Sequence, residues 1–298
     1  MSLEEIVVSL NRLGIRTSVM ESGADGALLI LPEYGRVLGV WPHWRAENVL
    51  WENPDFLRLL QIGAKDDDWL NPGGDRLWLG PEREFFPRGA VAPAIDPGRY
   101  AELPEKGMFV MENRGEARAW ASDMRMRFRV VRRIRPLADG EISEHWQTQW
   151  LRQAGYVEEA QLEASGEIPP GACLWNITQV RAGAEVLLPQ AAVALRGEKP
   201  VRIELAPAQA PAKILCIEER EGGRGHLIVK EFEKPAETDG ACPLVECRFA
   251  PGQGFGEFSC VSPAAGPRER RRVTWKSTLY AFSGRVDELR AAAQRISG

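Results

Sequence analysis

The residues Asn71 to Pro87 read NPGGDRLWLGPEREFFP and hold three side chains suited to a polyhydroxylated ligand. Trp78 offers a flat apolar face on which a sugar ring can stack, and Arg76 and Glu82 can bond its hydroxyls. The same three residues also fit a structural Arg–Glu pair beside a half-buried Trp. Their local setting is legible. Asn71-Pro72-Gly73-Gly74 is a turn, because Pro fixes φ and Gly accepts a positive φ. Asp75 to Leu79 then alternates as a strand, with Arg76 and Trp78 on one face and Leu77 and Leu79 on the other, until Gly80-Pro81 ends it. The leucine face fits a packed interior, so Arg76 and Trp78 are expected to look outward.

Metal and thiol chemistry find less support. The three histidines, His43, His145 and His226, are scattered, and none stands in a metal-binding spacing. The five cysteines, Cys173, Cys216, Cys242, Cys247 and Cys260, include no CxxC pair. They read as reduced thiols packed as small hydrophobes, although Cys242 and Cys247 could meet across Pro243. Asp66-Asp67-Asp68 lacks the spacing of a calcium loop and reads as a solvated loop. No metal and no cofactor is expected.

The elements that must position these residues are short strands. Apolar runs of about five to ten residues recur between Gly, Pro and Asn breaks, among them Arg36–Trp41, Met108–Glu112, Ile142–Leu151, Tyr156–Ala164, Cys173–Arg181, His226–Phe232 and Phe255–Val261. Arg152 to Gly155 reads as a hairpin loop between two of them. Only two segments have convincing helical spacing, near residues 3–13 and 286–296. Many strands without βαβ alternation predict an all-β fold, a large antiparallel sandwich with short N- and C-terminal helices. No linker divides the 298 residues, so one domain, 1–298, is expected.

Composition narrows the partners. The net charge of −4 exerts no global pull toward nucleic acid or anionic membrane. The one basic stripe, Arg125, Arg127, Arg129, Arg133 and Arg135, lies along a single strand and fits pairing with carboxylates on its neighbours. Nucleic acid is therefore not the expected partner. No apolar run approaches the roughly 18 residues of a membrane span. The opening MSLEEIVVSLNRLG is acidic and amphipathic, unlike a signal peptide, which points to the cytoplasm.

GGDRLWLGPE, then LWNITQV, GHLIVKEFE and FGEFSCVSP, in that order and on an all-β background, resemble families related to the galactose mutarotase (aldose 1-epimerase) superfamily. The resemblance spans roughly residues 25 to 282. It implies a β-supersandwich with a carbohydrate cleft on a concave sheet. It places Arg76, Trp78, Glu82, Trp175, Gln179 and Lys230 at the ligand. An Arg and a Lys together would favour an anionic sugar, a sugar phosphate or a uronic acid. The superfamily's catalytic His is not found, since the strand that would carry it reads Leu174-Trp175-Asn176-Ile177-Thr178. Three readings follow. The first is a carbohydrate-binding protein. The second is a sugar-active epimerase or lyase using Glu246 or Glu257 as base, opposite His145, His226 or Lys230. The third is a structural or interaction protein with a filled cleft.

Overall fold

A computed structural model of the chain describes residues 2–63, 70–86, 91–191, 193–196, 200–235, 242–250, 252, 254–266 and 271–297. The Asp66–Asp68 triplet lies outside them. In chain order the elements are α1 (Leu3–Arg12), β1 (Ser18–Ser22), β2 (Gly26–Leu31), β3 (Arg36–Trp41), α2 (Phe56–Gln61), β4 (Asp75–Gly80) and α3 (Glu82–Phe85). There follow β5 (Ala101–Leu103), β6 (Phe109–Ala119), β7 (Met124–Pro136), α4 (Asp139–Trp146), β8 (Arg152–Gly166) and β9 (Cys173–Arg181). The remainder holds β10 (Glu185–Leu188), β11 (Val193–Arg196), β12 (Val201–Leu205), β13 (Lys213–Glu219) and β14 (Arg224–Phe232). The chain closes with β15 (Val245–Ala250), β16 (Phe255–Val261), β17 (Arg272–Arg285) and α5 (Val286–Ser297).

The strands form two antiparallel sheets. The first has eight strands in the order β1-β2-β3-β4-β9-β16-β15-β12, the second nine in the order β11-β10-β13-β14-β17-β8-β7-β6-β5. Strand alternation puts Leu77 and Leu79 of β4, Met126, Phe128, Val130 and Ile134 of β7, and Ile228 and Phe232 of β14 in one core between the sheets. The outer faces are covered by helices. α1 lays Ile6 and Leu10 on Leu29, Leu31 and Leu38 of the first sheet. α5 lays Leu289, Ala292, Ala293 and Ile296 on the second, against Leu227, Val229 and Phe282. The all-β sandwich and both terminal helices agree with the sequence. Among the described residues no helix is long and apolar enough to cross a membrane.

The turn before β4 depends on its glycines. Gly73 and Gly74 have φ of 99° and 80°. A Cβ on either would lie 2.2 Å from the carbonyl oxygen of Trp51 or 2.3 Å from that of Val37. Only glycine therefore lets β4 dock against β3 at this point.

Two local expectations are corrected, and one open alternative is closed. Ile142–Leu151 is not a strand. α4 occupies its first half, where Ile142 and Ser143 are buried and Glu141 accepts the Ala138 amide at 2.9 Å. The strand reading of this run is overridden by packing, because Trp146 meets Tyr280 edge-on at 5.5 Å. Arg152 to Gly155 is not a loop but the start of β8, paired with β17. Cys242 does not meet Cys247. Its sulfur lies 3.6 Å from that of Cys173, and Cys247 is buried on β15. Four of the five arginines in the β7 stripe are paired, Arg129 with Glu112 and Glu163 and Arg125 with Glu116 on the neighbouring strands, Arg133 with Glu105 and Arg135 with Glu141 off them.

Candidate functional site

The two faces of β4 carry two different polar assemblies. The inward face holds Asp75, which is fully buried between the sheets. Its Oδ1 accepts from Arg132 Nη2 at 2.8 Å and Asn176 Nδ2 at 3.0 Å. Its Oδ2 accepts from Thr178 Oγ1 at 2.7 Å and Lys230 Nζ at 3.0 Å. Arg132 also donates to Glu158 at 2.7 Å, and Asn176 bridges to the same carboxylate at 3.1 Å. Two acids and two bases, all at 0% side-chain exposure, thus form a neutral set that ties β4 and β9 of one sheet to β7, β8 and β14 of the other. Burial alone opposes ionisation of Asp75. Lys230 and Arg132, with the hydrogen bonds from Thr178 and Lys230, outweigh it and hold the carboxyl below its usual range.

Lys230 therefore departs from the expectation. It stands on β14, on the interior face shared with Ile228 and Phe232, and does not reach the outer face of β4. The argument for an anionic sugar that rested on Arg76 and Lys230 in one cleft falls with it.

The outward face carries Arg76 and Trp78. The Arg76 guanidinium lies 4.0 Å from the Trp78 ring centroid and donates to Glu257 Oε1 at 2.7 Å and to Asn71 Oδ1 at 3.2 Å. Gln179 donates to the same Glu257 oxygen at 2.8 Å. Register explains the cluster, since Arg76 faces Ile177 of β9 and Gln179 faces Glu257 of β16. Burial lowers the Arg76 guanidinium to about 10 despite its Glu257 partner, which marks it as nearly dry. Trp78 packs edge-on against Trp175 at 5.9 Å and tilts over Phe86 at 5.4 Å.

Beside this cluster the same sheet face opens into a cavity of about 420 Å³. Trp175, Phe86 and Val261 supply apolar wall, and Glu82, Glu204, Glu246, Arg83 and Arg202 supply charge. The side chains hold one another. Arg202 meets Glu82 and Glu204 at 2.7 Å each and Glu246 at 2.9 Å. Arg248, just behind, meets Glu82 at 3.0 Å and Glu246 at 2.9 Å. Burial raises the Glu246 carboxyl, and Arg248 and Arg202 offset that only in part. Glu82 reaches the cavity because Gly80-Pro81 stops β4 and α3 begins there.

The proposed site residues thus divide. Arg76, Trp78, Gln179 and Glu257 form a nearly buried cluster; Glu82 and Glu246 line the open cavity; Trp175 belongs to both. Lys230 is elsewhere. So are the histidines proposed as acids. His145 lies 3.3 Å from Glu231 and stacks on Tyr280, whereas His226 lines a different cavity. The spacing argument missed Arg202, Arg248 and the interior set. Signals existed for the latter, since Arg132 interrupts the apolar face Met126–Phe128–Val130–Ile134, and Glu158 interrupts Ala154–Tyr156–Ala160–Leu162.

No family model matches the chain, and no curated protein matches it. Solved structures do. The chain is similar to a putative aldose 1-epimerase from Escherichia coli K12 at a TM-score of 0.55 and 9% identity, over 91% of this chain and 100% of that one. It is similar to a protein from Synechocystis sp. PCC 6803 at a TM-score of 0.50 and 10% identity, over 91% and 96%. These likenesses establish the class of fold, a galactose mutarotase-like β-sandwich.

Proposed function

We propose that the protein binds a neutral carbohydrate in the cavity beside Trp175. The observation that carries this reading is the convergence of Glu82, Glu246 and Arg202 around an indole wall, in an opening of about 420 Å³. Ligand sites combine apolar walls with a few convergent polar groups in this way. Carboxylates accept from sugar hydroxyls, guanidiniums donate to them, and indole covers the C–H face of the ring. The charges around the opening pair with one another, so no surplus cation asks for an acidic sugar. The fold of an aldose 1-epimerase-like sandwich is consistent with this ligand class. The open cavity also favours a ligand over a filled cleft.

Binding is the favoured role because none of the three histidines lines this cavity, and Glu257 Oε1 is held by two donors. One feature supports a second reading, an enzyme. Glu246 is 6% exposed with a raised carboxyl pKa, and such a group can hold a proton for an acid–base step. Tryptophan fluorescence during hexose titration, followed by polarimetry on any binder, separates the two. A saturable change that disappears in Trp175→Ala, with no faster mutarotation than buffer, supports binding alone. Accelerated mutarotation lost in Glu246→Gln supports the enzyme. No saturable change across the panel refutes both.

A further inference from the structure

A larger cavity, about 680 Å³, lies at another part of the sandwich and shares no lining residue with the first. It is walled by the segment after β3, the β13–β14 hairpin, and the neighbouring ends of β8 and β17. Its chemistry is basic. Arg45, Arg152, Arg220 and Arg224 line it against only Glu47 and Glu221. From this cavity we infer a second ligand site, one that takes the phosphate group of a small phosphorylated molecule.

The arginines differ in how far they are already engaged. Arg152 is held by Asp25 at 2.9 Å. Arg224 is exposed, and among the described residues neither it nor Arg45 has a carboxylate partner, Arg45 instead lying 4.4 Å from the Trp44 ring centroid. Arg220 is close to Glu47 at 2.8 Å and Glu218 at 3.2 Å, yet its Nε and Nη2 make no aligned hydrogen bond. The carboxylates stand beside the guanidinium but off its N–H directions, so charge is balanced while donors stay unused.

His226 supplies the second observation. It lines the cavity, is 6% exposed, and its Nδ1 has no partner. An unpartnered buried nitrogen is costly unless something else bonds it. Burial, with Arg220, Arg181 and Arg224 around it, depresses the imidazole to about 3. The ring is therefore neutral, in a positive field that favours an anion. A carboxylate would be satisfied by one guanidinium fork. Three arginines and an imidazole exceed that need and suit a phosphate, with its three acceptor oxygens and charge of about −1.5 to −2. The volume exceeds a bare phosphate, so an organic remainder fits beside it.

The test is a thermal-shift and calorimetric titration at fixed ionic strength, with inorganic phosphate and glucose 6-phosphate as probes. Wild type, Arg45→Ala, Arg224→Ala and Trp175→Ala are compared. Arg45 and Arg224 have no ion pair to lose, so their variants should melt like wild type without ligand. Phosphate should raise the wild-type and Trp175→Ala melting temperatures. Each arginine variant should bind about ten-fold to a hundred-fold more weakly, the loss for one charged hydrogen bond. The His226 ring nitrogen resonances should move on titration while those of His145 stay. Equal affinity for the two probes assigns the site to phosphate alone, and tighter glucose 6-phosphate binding places the sugar in the same cavity. No shift at fixed ionic strength, or a shift undiminished in both arginine variants, overturns the inference.

Discussion

Replacing Asp75 by Asn removes one charge from a buried set whose four charges cancel. The shape is kept, but one acceptor oxygen becomes a donor facing donors, whether Arg132 and Asn176 or Thr178 and Lys230. Arg132 and Lys230 then face Glu158 alone and leave an uncompensated buried cation. Breaking such a set typically costs about 3–5 kcal/mol. At about 2.1 cal/mol/K per residue, the unfolding entropy of a chain this long converts that to a drop of about 5–8 °C. The assay is denaturant and thermal unfolding of Asp75→Asn, Lys230→Met and the double variant. The double variant leaves the Arg132–Glu158 pair neutral, so it should be more stable than the sum of the two single losses. The pH dependence has a definite sign. Asp75 has a depressed folded pKa, so its contribution is present above the unfolded value of about 3.9 and is lost as pH falls through the folded value. The gap between wild type and Asp75→Asn should therefore narrow on acidification below about pH 4. A variant that melts within about 1 °C of wild type, or a gap that does not change with pH, would refute the reasoning.

Two further outcomes follow from the outward face. Arg76→Ala should lower stability by about 1.5–3 kcal/mol, because it strips a nearly buried carboxylate of a charged hydrogen bond; unchanged unfolding with weakened sugar binding would instead make Arg76 a direct ligand contact. Glu246 has a raised folded pKa, so its contribution to stability is full below about 4.5 and declines as pH rises through the folded value. Glu246→Gln should lack that slope, and a wild-type-like pH profile of the variant's denaturation midpoint would contradict the assignment.

Much of the fold was legible because strands report their faces by alternation. The alternation of Arg76 and Trp78 against Leu77 and Leu79 on β4 is seen, but Arg76 and Trp78 are buried and do not line the open cavity, and the Gly73-Gly74 turn needs its glycines because both take a positive φ. The interior set was harder. Asp75 meets Arg132 and Lys230, 57 and 155 positions away, Arg132 in turn meets Glu158, and only the pairing of strands brings them together. Yet the direction of Lys230 was readable. It shares a strand face with Ile228 and Phe232, the face that enters the core, and the expectation failed because Lys230 was placed at the ligand by the resemblance rather than by its strand face. Arg202 and Arg248 were missed because only the order of the sheet, with β9 and β16 between them, places β12 and β15 on the same sheet as β4. α4 was read as part of a strand because a short run such as Ile142–Leu151 fits either conformation until Trp146 is given its partner, Tyr280.

Isothermal titration of galactose, glucose and related neutral hexoses into wild type and Trp175→Ala tests the central claim most directly. The account predicts saturable one-site binding of at least one hexose, lost in Trp175→Ala and sharply weakened in Arg202→Ala, with Arg224→Ala behaving as wild type. Binding of equal strength in Trp175→Ala, or no heat from any hexose at concentrations up to the solubility of the sugar, would contradict it.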